Sequence, residues 1–242
     1  MRKFLRTFAA LNRSIHWSDL AILVLGPFFG VLIRYALPIA QKLLPLMPDL
    51  RQYTKPLDSV LMLVSAFSIL YPFVLCSVEE RVNGIALSLT ISPLRSSGYF
   101  ICRFVLPCIL AGVYALCMEL LFSPVDRPFW HTALCCLLSG PTALSGMLVA
   151  PVFTKDKLSG LTLIKLSVWL LLAAPALIGF ALPTIFQPLF LIFPSYWFMR
   201  CTRMADWLLF VMCFFLSLFW IVTGYRLWSR SLKELRLTDS WE

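Results

Sequence analysis

Six runs of apolar residues, each about long enough to cross a bilayer, leave this chain few folds to choose from. They extend from Leu20 to Ile39, Val60 to Val78, Tyr99 to Phe122, Trp130 to Val152, Leu161 to Ile185 and Trp207 to Tyr225. A hydrocarbon core about 30 Å thick is spanned by roughly 20 residues of helix. Inside it the backbone has no water to bond, so each run must satisfy its own amides as a helix. Only 14% of the residues are charged, against about a quarter in a soluble domain. The expected fold is all-α: a polytopic membrane protein with six transmembrane helices, forming one domain over residues 1–242. Pro72, Pro107, Pro141 and Pro175 fall inside the runs and predict kinks.

The chain carries 21 Lys and Arg against 12 Asp and Glu. In a soluble protein such an excess can serve nucleic acid. Here the cations flank the spans, where they set topology and meet lipid headgroups, and no nucleic-acid partner is expected. With the amino terminus inside, the inner segments hold Arg2, Lys3, Arg6, Arg13, Arg81, Arg95, Arg103, Lys155, Lys157, Lys165, Arg226, Arg230, Lys233 and Arg236. The outer segments hold only Lys42, Arg51, Lys55, Arg127, Arg200 and Arg203. This bias predicts a multi-pass protein with both termini in the cytoplasm. The basic start could mimic a secretory signal, but five further spans and the lack of a clear cleavage site favour a retained first helix.

Eight cysteines lie in or beside the apolar runs, with only Cys201 clearly in a connection. They read as small buried hydrophobes. Cys135-Cys136 has no companion pair at zinc spacing, so no metal site is expected.

Before the first span, Phe4, Phe8, Leu11 and Ile15 recur at helical spacing among basic residues. This predicts an amphipathic interface helix over 1–17 lying along the inner leaflet. It is either a surface anchor or an elbow that passes motion into the first span. Two charges remain in lipid, Arg34 and Glu119, each about one turn from the outer end of its span. They either pair in a polar outer vestibule or snorkel separately to the headgroups.

The connection between spans two and three, residues 79–98, is charged and then apolar. Glu79-Glu80-Arg81 is followed by Asn83-Gly84, which can end a helix. Leu87, Leu89 and Ile91 are too apolar for a free loop, and Ser92-Pro93 stops the run. A short helix with one apolar face at the cytosolic surface would fit a groove on another protein. The last outer connection, 186–206, is aromatic and broken by Pro188 and Pro194.

In this order and spacing the chain resembles the permease subunits of ABC type-2 transporters. Those permeases have a Glu-rich stretch and a Gly after the second span, then a short helix ending in Thr-Pro or Ser-Pro. Glu79, Glu80, Arg81, Gly84, Leu87 and Ser92-Pro93 look like that pattern, although the usual Gly-Thr is Gly84-Ile85 here. The basic residue that often opens the third span would be Arg103. The resemblance extends to the amphipathic amino-terminal helix, the six spans and a re-entrant segment between the last two, and so covers nearly the whole chain. It implies a bacterial cell membrane location, a coupling helix in 79–98, and a dimer with a second permease subunit, the same or related. It also implies a separate cytosolic ABC ATPase subunit that holds ATP and Mg, with outward transport. By the resemblance, Glu79, Glu80 and Arg81 would make polar contacts to the ATPase, Gly84 would permit the turn, Leu87 would insert, and Pro93 would end the short helix.

Enzyme readings fit less well. Glu79-Glu80 is similar to the opening of a CAAX-type protease motif, but Gly84 stands where that motif needs Arg. A rhomboid-like serine protease would need Gly-x-Ser-Gly and a later His. Ser145-Gly146 follows Ala143-Leu144, and His131 precedes it. No Gly-x-x-x-x-Gly-Lys-Ser/Thr loop occurs, so the chain is expected to be non-catalytic, without a cofactor of its own. Two alternatives stay open: a membrane scaffold or assembly factor that moves nothing, and a secondary transporter. The latter shows no inverted repeat and no cluster of midplane carboxylates.

Overall fold

The computed structural model describes residues 21–36, 38, 39, 42, 54–85, 95–154, 156–169 and 190–238; the elements among them are helices, with no strand. The first helix, α1 (Ala21–Ala36), passes from a 3-10 turn through α to a π turn. Helix α2 is Thr54–Val82. Helix α3 runs through Arg95–Phe100, a π turn at Ile101–Val105, and Leu106–Phe122. Helix α4 comprises Phe129–Met147 and Val149–Phe153 on either side of Leu148. Helix α5 is Lys157–Ser167, α6 is Pro194–Arg203 and α7 is Trp207–Thr238.

Four of these are long and apolar enough to cross a membrane: Thr54–Val82, Ser97–Phe122, Phe129–Phe153 and Trp207–Leu232. They coincide with the second, third, fourth and sixth predicted spans. Ala21–Ala36 is a shorter apolar helix. The predicted fifth span is described only in its first part, and 170–185 lie outside the described residues. So do the predicted interface helix with Phe4, Phe8, Leu11 and Ile15, and Leu87, Ser92 and Pro93 of the predicted coupling helix.

Helix α2 is central: it packs on α3 and α4 along its length, and also touches α1, α5 and α6. It starts before Val60 and runs past Val78, because its polar ends find partners in the fold. Helices α3 and α4 approach closely. A side chain at Gly112 would meet Cys136 O at 3.1 Å, and one at Gly140 would collide with Cys108 O. Small residues at such crossings let helix backbones touch, which is how packing drives association where lipid offers no hydrophobic gain.

One buried cluster, with Leu70, Val74, Phe104, Leu144 and Trp228, fills the end of the bundle near Glu80. A second, with Met62, Cys135, Cys136, Phe198 and Cys213, fills the end near Asp58. Seven of the eight cysteines are buried, Cys201 included; all eight are free thiols, and Cys117 is exposed.

The prolines act differently from one another. Helices α2 and α4 run through Pro72 and Pro141. Pro107 follows directly on the π turn, in which Leu106 N–H bonds Ile101 O five residues back. A proline ring crowds the carbonyl four residues before it, and widening the preceding turn relieves that conflict. Pro175 lies outside the described residues.

Candidate functional site

Successive residues of an α-helix point about 100° apart. Three consecutive polar residues at a helix end therefore face three directions, and at the end of α2 each direction holds a different neighbour. Glu79 Oε1 accepts from Lys157 Nζ of α5 at 2.6 Å. Glu80 accepts from the Arg103 guanidinium and, through Oε2, from the Tyr99 hydroxyl of α3 at 2.5 Å. Arg81 donates to Pro151 O and, at 2.6 Å, to Val152 O at the end of α4, and its Nη2 reaches Ser231 Oγ of α7 at 2.5 Å. This short stretch clamps α2 to α3, α4, α5 and α7 at once.

The chemistry of the clamp follows from where each group sits. Arg103 lies on the π turn before Pro107 and is fully buried. A buried guanidinium is tolerable only when paired, and Glu80, itself buried, supplies the pair. Tyr99 lies flat against Trp228 of α7, with ring centroids 5.3 Å apart and planes 6° from parallel. The Glu80 anchor on α3 is therefore also stacked against α7. Arg81 uses its fork of donors on carbonyls that the end of α4 leaves without helical partners.

The helix closes just beyond the clamp. Asn83 N–H bonds Glu79 O at 2.9 Å and Gly84 N–H bonds Arg81 O at 3.1 Å. Gly84 has a φ of 71°, and a side chain there would meet nothing within 4 Å. Left-handed backbone at a helix end is glycine's usual position. Helix α5 starts on an Asp156 cap: its Oδ1 accepts from Ser159 N–H at 2.7 Å, and this bond holds the carboxyl below its ordinary range. The cap places Lys157 on the first helical position, opposite Glu79.

Glu79, Glu80 and Arg81 were expected to face a cytosolic partner, yet all three are engaged inside this chain and Glu80 is buried. The physical reason is the helix itself, which extends one turn past the apolar run and carries these groups into contact with its neighbours. Lys157, Tyr99, Trp228 and Ser231 were missed as partners. The signal was faint: each is an isolated polar or aromatic residue near a span end.

The outer pair is also rearranged. Arg34 donates to Leu121 O, and Glu119 Oε1 is paired with Arg127 at 3.2 Å, not with Arg34. Arg127 comes from the short connection after α3 and also pairs with Asp58 Oδ2 at 2.5 Å. A connection residue eight positions from Glu119 reaches it more directly than a side chain on another helix. His131 is buried, with Nε2 2.9 Å from Cys201 O of α6. In the 186–206 segment, α6 packs against α2, α4 and α7. Ser59 and Thr202 hydroxyls meet at 2.5 Å, and Trp220 of α7 donates to Ile192 O. Among the described residues no group of His, Cys, Asp and Glu could hold a metal ion.

No curated protein and no solved structure matches the chain. One family model does, over residues 18–227, a range holding every helix described above except the last turns of α7; its description is fluoroquinolones export permease protein Rv2686c-like. With most of the chain matched and four apolar helices of spanning length in place, this protein belongs to the Rv2686c-like export permease family and is a membrane subunit of a transporter.

Proposed function

We propose that the chain is the non-catalytic permease of an ATP-driven ABC type-2 exporter in a bacterial cell membrane. It pairs with a second permease subunit, the same or related, and a separate cytosolic ABC ATPase binds ATP and Mg. Both termini lie in the cytoplasm, and the 79–98 segment, with Leu87, Ser92 and Pro93 in its short helix, docks on the ATPase. The interface helix with Phe4, Phe8, Leu11 and Ile15 is assigned to the inner leaflet.

The observation that carries this reading is the clamp at the end of α2. Glu79, Glu80 and Arg81 grip α5, α3, α4 and α7, and the chain then turns at Gly84 directly into the segment assigned to docking. A push on that segment meets a rigid fixture rather than a free hinge, so it moves several helices together. The Glu79–Arg81 residues thus transmit the load, and the residues after Gly84 receive it. Packed elements with discrete arrangements carry motion in this way. A fluoroquinolone, the cargo in the family's description, is the first substrate to test.

The test is reconstitution of the chain with a candidate cytosolic ABC ATPase, measuring ATP turnover and drug efflux from vesicles. Arg81→Ala is expected to leave ATP turnover intact while efflux falls about tenfold or more. Full efflux by Arg81→Ala, or efflux that needs no nucleotide, defeats the reading; the second result would favour a secondary transporter. No efflux with any nucleotide or cargo would favour the scaffold.

A further inference from the structure

At the end of the bundle away from the clamp, two carboxyl groups share one cation in a place solvent does not reach. Asp58 is on the second turn of α2 and Glu119 on the last turn of α3; their side chains are 0% and 2% exposed. Arg127, 6% exposed, bonds both through the same nitrogen, Nη1, at 2.5 and 3.2 Å. Ser123 Oγ donates to Asp58 Oδ1 at 3.0 Å. Both carboxyl groups thus sit against one guanidinium nitrogen.

Two features are left unresolved by these contacts. With both acids ionised the site holds two negative charges against one positive, and an uncompensated buried charge is costly. Glu119 Oε2 and Arg127 Nη2 are also buried without a hydrogen-bond partner, and Asp58 Oδ2 has only its ion-pair contact with Arg127. Ionised carboxylates only accept, so two that face each other cannot satisfy one another. One added proton removes both conflicts, because it cancels the excess charge and turns one carboxyl into a donor to the other.

We infer that Asp58 and Glu119, bridged by Arg127, form a proton-binding site that holds one shared proton at neutral pH. The ligand is a hydron drawn from the aqueous side nearest the 123–128 connection. The other ionisable groups brought to this end are Arg34 on α1, Lys55 on α2, and His131, Cys135 and Cys136 on α4. Helix α6 brings Arg200, Cys201 and Arg203, α7 brings Cys213, and the connections bring Asp126 and Asp206. Arg34 is engaged by Leu121 O and His131 by Cys201 O. Arg127 is the cation bonded to both acids, so removing either acid leaves one carboxylate paired with one guanidinium and no need for the proton. The inference is independent of how transport is powered.

Infrared spectroscopy of the full chain in lipid vesicles in deuterated buffer tests it. The unmutated protein is expected to show one protonated-carboxyl C=O band at neutral pH, lost completely in Glu119→Gln and equally in Asp58→Asn. Absence of the band in the unmutated protein overturns the inference, and so does its survival in either variant. Should a variant not fold, isotope-labelled Asp or Glu in the unmutated chain decides the matter. A band that shifts with one of the labels supports the dyad, and a band moved by neither refutes it.

Discussion

Glu80 on α2 and Arg103 on α3 form a buried ion pair, with the Tyr99 hydroxyl closing the second carboxylate oxygen at 2.5 Å. A pair this deep does less to add stability than to penalise every arrangement in which one partner is missing. Glu80→Ala is expected to destabilise the protein by about 3–5 kcal/mol, since it strands a buried guanidinium. Arg103→Met added to Glu80→Leu should recover most of that loss. Thermal unfolding of the purified chain in detergent, monitored by intrinsic Trp fluorescence, measures both.

Gly84 tests the turn without disturbing any packing. Its φ of 71° is the cost-bearing feature, because a side chain would meet nothing within 4 Å. Gly84→Ala should therefore cost about 1 kcal/mol, the conformational penalty alone, and Gly84→Asn clearly less. The same unfolding measurement ranks the three proteins. Equal stability of the Ala variant would show that the turn relaxes freely.

Gly140 predicts the opposite kind of failure. A methyl there collides with the backbone oxygen of Cys108, which no rotamer change can move. Gly140→Ala must separate α3 from α4, with an expected loss of about 1–3 kcal/mol. Cross-linking between cysteines placed on the two helices should fall in parallel. An unchanged cross-linking rate would show that the helices do not depend on this contact.

Asp156 gives a pH dependence of definite sign. The bond from Ser159 N–H holds its carboxyl below the ordinary value, so the cap favours the folded form above that value. The contribution is lost as pH falls through the depressed folded value. Amide protection factors in the first turn of α5, taken against the intrinsic rate at each pH, should fall over that acidic window. In Asp156→Ala protection should be low throughout, with the Lys157–Glu79 contact loosened.

Hydropathy placed α2, α3, α4 and α7 to within a few residues at most of their boundaries, because the free energy of leaving water belongs to each residue separately and adds along a run. The same reasoning cut α2 short at Val78, where composition turns polar but hydrogen bonding does not stop. The Asn83-Gly84 pair marked where the helix can end, and Gly84 takes that turn.

What no single run of sequence contains is the identity of partners. That Glu80 belongs to Arg103 and Tyr99, that Arg81 reaches the end of α4, and that Glu119 shares Arg127 with Asp58 instead of meeting Arg34 all depend on contacts across the bundle. Helix packing fixed those choices, through the close crossing at Gly112 and Gly140 and the π turn that aims Arg103. Sequence alone determined which segments are helices fit for a membrane, since that is a sum over residues. Only the tertiary structure decided which charges neutralise which, since that energy exists only between groups brought together.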